Sequence, residues 1–490
     1  MKEQQGNATH LAFLDVQKAY DSMWGAAVVK NLWERGVRGK MWRVLKALNE
    51  GKSTQIATRF GLTDDIMVRE SLRQGGVASP IEFAALMDQL AVDLEAEGLH
   101  VDYHGIKISC LLLMDDVVLI ADNPKQLQSM LDAADRLALR AHLSYNQTKS
   151  KIMVVNGKAN NERIWFLGEH ILEETDRYTY LGETLTNDLR MTGHLGHLTQ
   201  RSFGVSSNMF AVASEPTLAK IKIQTLIQLY QTCWIPAILH GCETWMMDRS
   251  ALERLKALQL NIVRRILKAP KSAPISALLG ETGILPIQYE IQKRQMMYLH
   301  SLLNTTKQAS TILRIMIEEN HPGTWWQHVK ENRMPMSIDP ENALLKPKRK
   351  WKQELKFVTN STFCEWYKSE ALAKVKMHRL YTHKPEPNQA GYIQQLNRFE
   401  AAVIFRMRCG ISLAKGNTSA RAECCRWCKN GHESDSHIFN ECKADNITKL
   451  KEELRISNLE QVFTGTKTTL VNVVQFAKQT GLVPERLQYA

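Results

Sequence analysis

Three aspartates occur in segments of this sequence that are otherwise strongly apolar. Asp115 and Asp116 interrupt the run from Cys110 to Ala121, and Asp15 ends the run from Leu11. A carboxylate on a buried strand loses its hydration, which costs free energy unless a cation or a hydrogen-bond donor compensates it. The sequence therefore predicts that strands carry these acids to a site for divalent cations. The structural alternative places Asp115 and Asp116 in an exposed hairpin turn and makes Asp15 a helix N-cap.

Helical periodicity appears at three places in the amino-terminal part of the chain. Apolar residues at helical spacing run from Met23 to Trp33 and stop at Gly36. Ser79 to Glu82 fits a capping box with proline at the first helical position, which predicts a helix to about Gly98. Pro124 begins the third helical pattern.

Strand patterns alternate with these helices. Apolar runs on both sides of Asp115 and Asp116 predict a hairpin with the carboxylates near its tip, and Lys151 to Val155 predicts a closing strand. This order of elements predicts an α+β fold, in which helices pack on one face of an antiparallel sheet.

The rest of the chain has a different character. Helical periodicity continues through Ile221 to Thr244 and Leu252 to Leu267, followed by a polar stretch with a basic cluster, Lys346 to Lys352, around Trp351. That cluster predicts a nucleic-acid backbone contact, a nuclear import signal or a solvated linker. We expect domains at 1–190, 191–310, 311–420, 421–446 and 447–490, the last being a tail.

The net charge narrows the class of partner. The 490 residues carry a formal charge of +12, which favours an anionic partner such as nucleic acid, although a merely basic surface is the alternative. The amino terminus has no apolar signal region, and no apolar stretch is long enough to cross a bilayer. We therefore expect a nuclear or cytoplasmic protein with no membrane partner, whose nine cysteines are thiols or metal ligands.

Five segments occur in an order that resembles motifs A to E of reverse transcriptases, in the form carried by non-LTR (LINE-type) retrotransposons. They are Phe13 to Asp21, Arg73 to Pro80, Leu113 to Ala121, Asn146 to Lys149 and Tyr180 to Gly182. Ile238 to Trp245 resembles the thumb signature of the same elements. The resemblance implies a right-hand polymerase palm with a helical thumb. It also implies an RNA-directed DNA polymerase that uses an RNA template, a DNA primer or target, and deoxynucleoside triphosphates.

The resemblance also implies a catalytic site. Asp15 and Asp115 would bind two Mg²⁺ ions, with Asp116 as a neighbouring carboxylate of lesser role. Two such ions activate the attacking 3′-hydroxyl and stabilise the leaving pyrophosphate. Magnesium fits because it prefers hard oxygen ligands and leaves positions open for substrate phosphates. Lys149 would assist the departure of pyrophosphate; a solvated lysine is the alternative.

Substrate contacts follow from the same motifs. Tyr20 would lie beneath the incoming sugar and exclude a ribose 2′-hydroxyl; an ordinary buried tyrosine is the alternative. Arg73, Gln74 and Gly75 would bind substrate. Gln74 to Gly76 would form a tight turn whose backbone approaches template or nucleotide, or a plain loop before a capped helix. Tyr180, Leu181 and Gly182 would form the turn that holds the primer end.

The chain departs from the family pattern at three places. Gly76 stands where the family usually has Asp or Cys, and Leu113-Met114 stands where it has an aromatic residue and alanine. The fourteen residues before Asp15 leave no room for the fingers strands, so we expect a chain truncated at its amino terminus. A non-catalytic nucleic-acid-binding relic is therefore the alternative function. We also expect target cleavage to come from a missing segment or a separate endonuclease.

A second metal site is predicted near the carboxyl terminus. Cys425, Cys428, His437 and Cys442 have the types and spacings of a Cys3His zinc site, and their order matches the CCHC motif of many non-LTR elements. We expect one structural Zn²⁺, which supplies much of the folding energy of a loop with little core of its own. Buried thiols are the alternative, and Cys424 and His432 are competing ligands. Arg421, Arg426 and Lys429 beside Trp427 are candidate phosphate and base contacts.

Overall fold

The computed structural model describes residues 8–68, 71–157, 163–214, 221–320, 322–332, 346–414 and 424–484. It divides into two compact units, Met1–Gly193 and His194–Ala490. This partition does not test the finer division into five domains, which stays a prediction.

A six-stranded sheet forms the centre of the amino-terminal unit, in the order β11-β12-β10-β1-β9-β8. Its strands are β1 (Thr9–Asp15), β8 (Cys110–Leu113), β9 (Asp116–Ala121), β10 (Lys151–Val155), β11 (Trp165–Leu167) and β12 (His170–Glu174). β1 pairs antiparallel with both β9 and β10. The predicted α+β fold is confirmed, including the β8–β9 hairpin and the closing strand β10. One pair differs from an all-antiparallel sheet, because β12 joins β10 in parallel.

Alternating side chains of β1 point to opposite faces of the sheet and pack into two different apolar cores. Ala12 and Leu14 face the larger core together with buried residues of the helices, whereas Phe13 faces the opposite side with Val118 and Met153. This alternation follows from the two-residue period of a strand. The sheet therefore has helices on one face, as predicted, and a separate small apolar cluster on the other.

The first unit contains five helices in its described residues: α1 (Ala19–Ser22), α2 (Gly25–Glu34), α3 (Gly39–Asn49), α4 (Ser79–Ala96) and α5 (Pro124–Ala141). The three predicted helices correspond to α2, α4 and α5. The predicted capping box of α4 is wrong, because Ala78 is the N-cap residue. The Ser79 hydroxyl donates to the Arg73 carbonyl at 2.8 Å, and Glu82 accepts from the Asn49 amide at 2.9 Å.

Several further elements were not predicted from the sequence. They are α1, α3, β2 (Lys52–Thr54), β3 (Ala57–Thr58), β4 (Gly61–Leu62), β5 (Ile66–Val68), β6 (Val101–Tyr103) and β7 (Ile106–Ile108). A further hairpin follows the sheet, β13 (Arg177–Tyr180) with β14 (Glu183–Thr186).

The described part of the second unit is helical, as predicted. Its helices are α6 (Thr192–Ser214, which begins in the first unit), α7 (Ile223–Leu229), α8 (Ile235–Ile238), α9 (Arg249–Ile266), α10 (Ile275–Thr282), α11 (Ile287–Leu303), α12 (Gln308–Glu319), α13 (Trp325–Glu331), α14 (Lys348–Leu372), α15 (Val375–His383), α16 (Gly391–Gln395), α17 (Arg398–Arg408), α18 (Asp445–Glu453), α19 (Gln461–Thr464) and α20 (Lys467–Gln479), with π-helical turns at Tyr230–Trp234 and His437–Glu441. α20 packs on α17, so the residues expected to be a tail are folded into this unit. No helix in the described ranges has both the length and the apolarity needed to cross a membrane.

Trp351 lies in the core of the second unit. Its side chain is fully buried, its indole N–H donates to the Met296 carbonyl at 3.2 Å, and its ring stacks on His300. The solvated-linker interpretation of the basic cluster is therefore wrong, because Trp351 is a core residue of a helix that begins at Lys348, whereas the backbone contact and the import signal stay predictions. Lys346 of that cluster forms an ion pair with Glu354 at 2.6 Å.

Candidate functional site

The sheet brings the three aspartates to one edge of the first unit. Asp15 and Asp116 are register partners at the adjacent ends of β1 and β9, and Asp115 lies in the turn before β9. Asp15 and Asp115 line a cavity of about 460 Å³. Asp116 lies outside this lining, and the lesser role predicted for it stays a prediction. The placement of Asp15 as a helix N-cap is wrong, because it ends a strand. The other part of that alternative is confirmed for Asp115, which lies exposed in the hairpin turn, whereas Asp15 and Asp116 are partly buried strand residues.

The β8–β9 turn presents Asp115 at its tip. Leu113 pairs with Asp116, so Met114 and Asp115 form a two-residue loop. Met114 has a φ of 54°, in the left-handed region that side chains other than glycine seldom adopt. Strain of this kind is stored where the surrounding structure fixes a functional geometry.

The acids are electrostatically coupled. Burial raises the pKa of the Asp116 carboxyl, the charges of Asp115 and Asp15 raise it further, and Lys149 opposes them. The Lys149 ammonium lies 3.4 Å from Asp15 Oδ2. The site therefore concentrates more negative charge than one lysine balances, which is the condition under which carboxylates bind cations.

Hydrogen bonds join the segment Asn146 to Lys149 to the end of β1. The Asn146 amide N–H donates to the Asp15 carbonyl at 2.8 Å, and the Asp15 N–H donates to the Ser150 hydroxyl at 3.2 Å. The Asn146 side-chain oxygen accepts from the backbone of Thr148 at 3.1 Å and of Lys149 at 3.3 Å. This Asx turn holds Lys149 beside Asp15.

Tyr20 and Gln74 line the same cavity. The Tyr20 ring stacks on Phe83 with centroids 5.4 Å apart, and its carbonyl accepts from Leu72 N–H at 2.7 Å. The Gln74 amide donates to Asp21 at 3.1 Å. Two segments far apart in the sequence are thereby joined at the wall of the cavity.

Arg73 and Gly75 line a neighbouring cavity of about 1060 Å³, which shares Gln74 with the first. Gly75 has a φ of +81°, so the predicted tight turn requires glycine at that position. A Cβ at Gly76 would lie 2.6 Å from the Ser79 hydroxyl and 3.0 Å from the Arg73 carbonyl. The residue usual in the family would therefore not fit this loop without a shift.

The segment Tyr180 to Gly182 forms a hairpin turn, as predicted. Leu181 and Gly182 have φ values of 49° and 84°, and Tyr180 pairs with Glu183. The structure adds Tyr178, whose ring stacks on Phe13 at 4.2 Å. Burial raises the pKa of Tyr178 to about 12, and the charges of Asp15 and Asp116 add to that effect. The two-residue spacing of Tyr178 and Tyr180 on a strand was the available sequence signal for Tyr178.

The predicted zinc ligands converge. One ligand atom from each of Cys425, Cys428, His437 and Cys442 lies within 4.8 Å of the others. Cys425 Sγ is 3.9 Å from Cys442 Sγ, and Cys428 Sγ is 3.2 Å from His437 Nε2. A tetrahedral site with Zn–S bonds of about 2.3 Å places sulfur atoms about 3.8 Å apart, so the cluster fits zinc.

The surroundings of the cluster support the same set of ligands. His437 Nδ1 lies 3.4 Å from Glu441 Oε2, the carboxylate-histidine contact that orients metal-bound imidazoles. Gly431 has a φ of +74°, and a Cβ there would approach His437 to 3.1 Å. Cys424 and His432 pair through their backbones and lie outside the cluster, so neither replaces a predicted ligand.

The loop around the cluster is packed and internally paired. The buried Glu433 carboxylate accepts from the Arg426 guanidinium at 2.6 Å, and Arg426 also donates to the Leu413 carbonyl at 2.9 Å. Arg426 is therefore a structural residue, and its predicted phosphate contact is wrong. Arg421 lies outside the described residues. Phe439 packs on Phe476 of α20, so the loop shares the core of the helical unit, contrary to the expectation that it has little core.

These features are those of a polymerase palm in the first unit. Residues 1–185 match the family described as reverse transcriptase (RNA-dependent DNA polymerase), and they form a reverse transcriptase domain. Its relatives include the RNA-directed DNA polymerases of non-LTR retrotransposons.

Two curated relatives give the extent of the likeness. The chain is 22% identical over 275 residues to the RNA-directed DNA polymerase from mobile element jockey of Drosophila funebris, covering 53% of this chain and 28% of that protein. It is 24% identical over 281 residues to the Pol polyprotein from the type-2 retrotransposable element R2DM of Drosophila melanogaster, covering 54% and 25%. The match thus spans about a quarter of the length of each relative. A telomerase structure from Candida albicans shares 11% identity over 81% of this chain and 51% of that chain, with a TM-score of 0.35, too low to support an argument.

Proposed function

We propose that this protein is an RNA-directed DNA polymerase of a non-LTR retrotransposon, which extends a DNA 3′ end with deoxynucleotides on an RNA template. The observation that carries this proposal is the convergence of Asp15, Asp115 and Lys149 on one cavity, within a reverse transcriptase domain. In the reaction the 3′-hydroxyl oxygen bonds to the α-phosphorus, its proton is lost, and the bond to pyrophosphate breaks.

Asp15 and Asp115 are the residues that would hold two Mg²⁺ ions, with Asp116 beside them. When bound, the ions would supply activation of the hydroxyl and neutralisation of the phosphates. The fit rests on the hard carboxylate ligands and on their mutual repulsion.

The remaining residues position the substrates. Tyr20 would exclude a ribose 2′-hydroxyl, and its stack on Phe83 supports this role because it restricts the ring. Arg73, Gln74 and Gly75 approach the nucleotide and template, and Lys149 offers positive charge or a proton to the departing pyrophosphate. The turn from Tyr180 to Gly182 would support the primer end.

Primer extension tests this proposal. We expect the wild-type protein to extend a DNA primer on an RNA template in Mg²⁺, and Asp115→Asn to abolish extension because it removes a negative ligand without changing size. Asp132→Asn, on the exposed surface of α5, is the matched control and retains activity. Equal extension by Asp115→Asn would reject the assigned site, and no extension by wild type would favour the relic.

We also propose that the cysteine-histidine cluster holds one structural Zn²⁺, which is supported by its ligand distances and by the Glu441 contact. Because nucleic acids are the proposed substrates, we propose an intracellular site of action, in the nucleus or the cytoplasm.

A further inference from the structure

A groove in the second unit lies between α11 and α14. It has a volume of about 440 Å³, and the residues that line it include Met297 and Lys293 of α11 and Arg349, Lys352, Leu355 and Lys356 of α14. Leu355 is buried and Met297 is partly buried, so the groove has an apolar floor.

The rim of the groove is cationic. Four of the ten lining residues are lysine or arginine, and none of the ten is acidic. Lys293 is paired with Glu290 at 2.8 Å, whereas Arg349, Lys352 and Lys356 form no ion pair with any residue in the described part of the chain. Three exposed cations without counter-charges favour an anionic occupant.

The spacing of these cations matches a polyanion. Arg349, Lys352 and Lys356 stand at i, i+3 and i+7 on α14, so they share one helix face. They extend over about 10 Å of the helix axis at 1.5 Å per residue. About three phosphates of a stacked strand, at roughly 3.4 Å per nucleotide, fall within that length.

We propose that this groove binds single-stranded nucleic acid, with phosphates on the cationic rim and a base face against Met297. A single strand offers charge and flat apolar surface together, whereas a duplex encloses its base faces and would leave the floor uncovered. The choice of nucleic acid over an acidic peptide rests on the proposed function. The groove shares no lining residue with the aspartate cavity, and all its residues belong to the second unit.

The test measures binding of a fluorescent oligo-deoxythymidine and of oligo-uridine to the full-length Asp115→Asn protein over a range of salt concentrations. The groove variant is Arg349→Gln/Lys352→Gln/Lys356→Gln. The matched control is Lys348→Gln/Lys350→Gln/Lys368→Gln, which removes the same charge from exposed positions of α14 outside the groove lining. We expect the groove variant alone to reduce the slope of log affinity against log salt by about 2, at roughly 0.7 per phosphate contact.

The substitution Met297→Gln tests the apolar contribution to binding separately from the charge contribution. We expect it to weaken binding severalfold with an unchanged salt slope, because it removes no charge. Equal effects of the groove and control variants would overturn the proposal. It would also be overturned if the groove variant lost affinity for poly-glutamate but kept its affinity for both oligonucleotides. Every binding measurement uses the Asp115→Asn protein, which is expected to be inactive as a polymerase. Binding by the groove is therefore measured independently of catalysis, and failure of one proposal can be told apart from failure of the other.

Discussion

Gly76 shows how a single position restricts what the loop before α4 can contain. The Ser79 hydroxyl and the Arg73 carbonyl both occupy the space that a side chain at position 76 would need. Because φ at Gly76 is outside the left-handed region, the restriction comes from contact and not from backbone conformation. The departure from the family at this position is thus compensated by the packing of its neighbours.

We predict that Gly76→Ala lowers the free energy of unfolding of the first unit by about 1–3 kcal/mol, the usual cost of overpacking. Chemical denaturation of the variants measures this change. In the Ser79→Ala background the cost of Gly76→Ala should be smaller, because the nearest atom is then absent. An identical cost in both backgrounds would show that Ser79 is not the obstacle.

The convergence of Asp15 and Asp116 could be predicted from sequence because each stands at the end of an apolar strand, although the acids are less buried than predicted and Asp115 is exposed. Trp351 and Arg426 could not, since their partners Met296 and Glu433 are set by tertiary packing. A tryptophan among lysines has the same sequence pattern whether it faces solvent or the core. The convergence of Cys425 and Cys442 was predictable because metal ligands must occur at short spacings.

At the scale of elements, the β13–β14 hairpin covers the face of the sheet opposite the helices. Tyr178, Tyr180 and Leu185 pack against the cluster that contains Phe13. Since Phe13 lies on the strand that ends at Asp15, the hairpin supports the strand that carries a proposed catalytic ligand. Long amphipathic helices such as α5 were predictable from their period, whereas short strand pairs such as β2 with β5 lack enough residues for a pattern.

We predict that Tyr178→Ala destabilises the first unit by about 1–2 kcal/mol, because a partly buried aromatic stack is lost. It should also raise the KM for primer more than it lowers kcat, since the turn that follows is the proposed primer contact. Tyr178→Phe keeps the ring and should behave like wild type in both measurements. Equal effects of the two substitutions would assign the role to the hydroxyl and not to the stack.

At the scale of the whole molecule, a metal loop is built into a helical unit. Phe439 of the loop packs on Phe476 of α20, and both side chains are fully buried. Within the loop, Arg426 forms an ion pair with Glu433. The order of ligands predicted the cluster, but nothing local to it predicted that residues expected to form a tail would pack beside it. We therefore expect loss of the metal to destabilise the helices packed against the loop as well as the loop itself.

We predict one zinc per chain, lost in Cys428→Ser and retained in Cys424→Ser, whose cysteine lies outside the cluster. Metal analysis of the purified proteins measures the stoichiometry. Because a ligand that binds only the folded state stabilises it, Cys428→Ser and chelator should each lower the melting temperature of the second unit, while the first unit keeps its own transition. Hydrogen exchange should then increase in α20 as well as in the loop, because Phe476 loses its packing partner. Wild-type protein without zinc, or equal zinc loss in both variants, would contradict the assigned ligands.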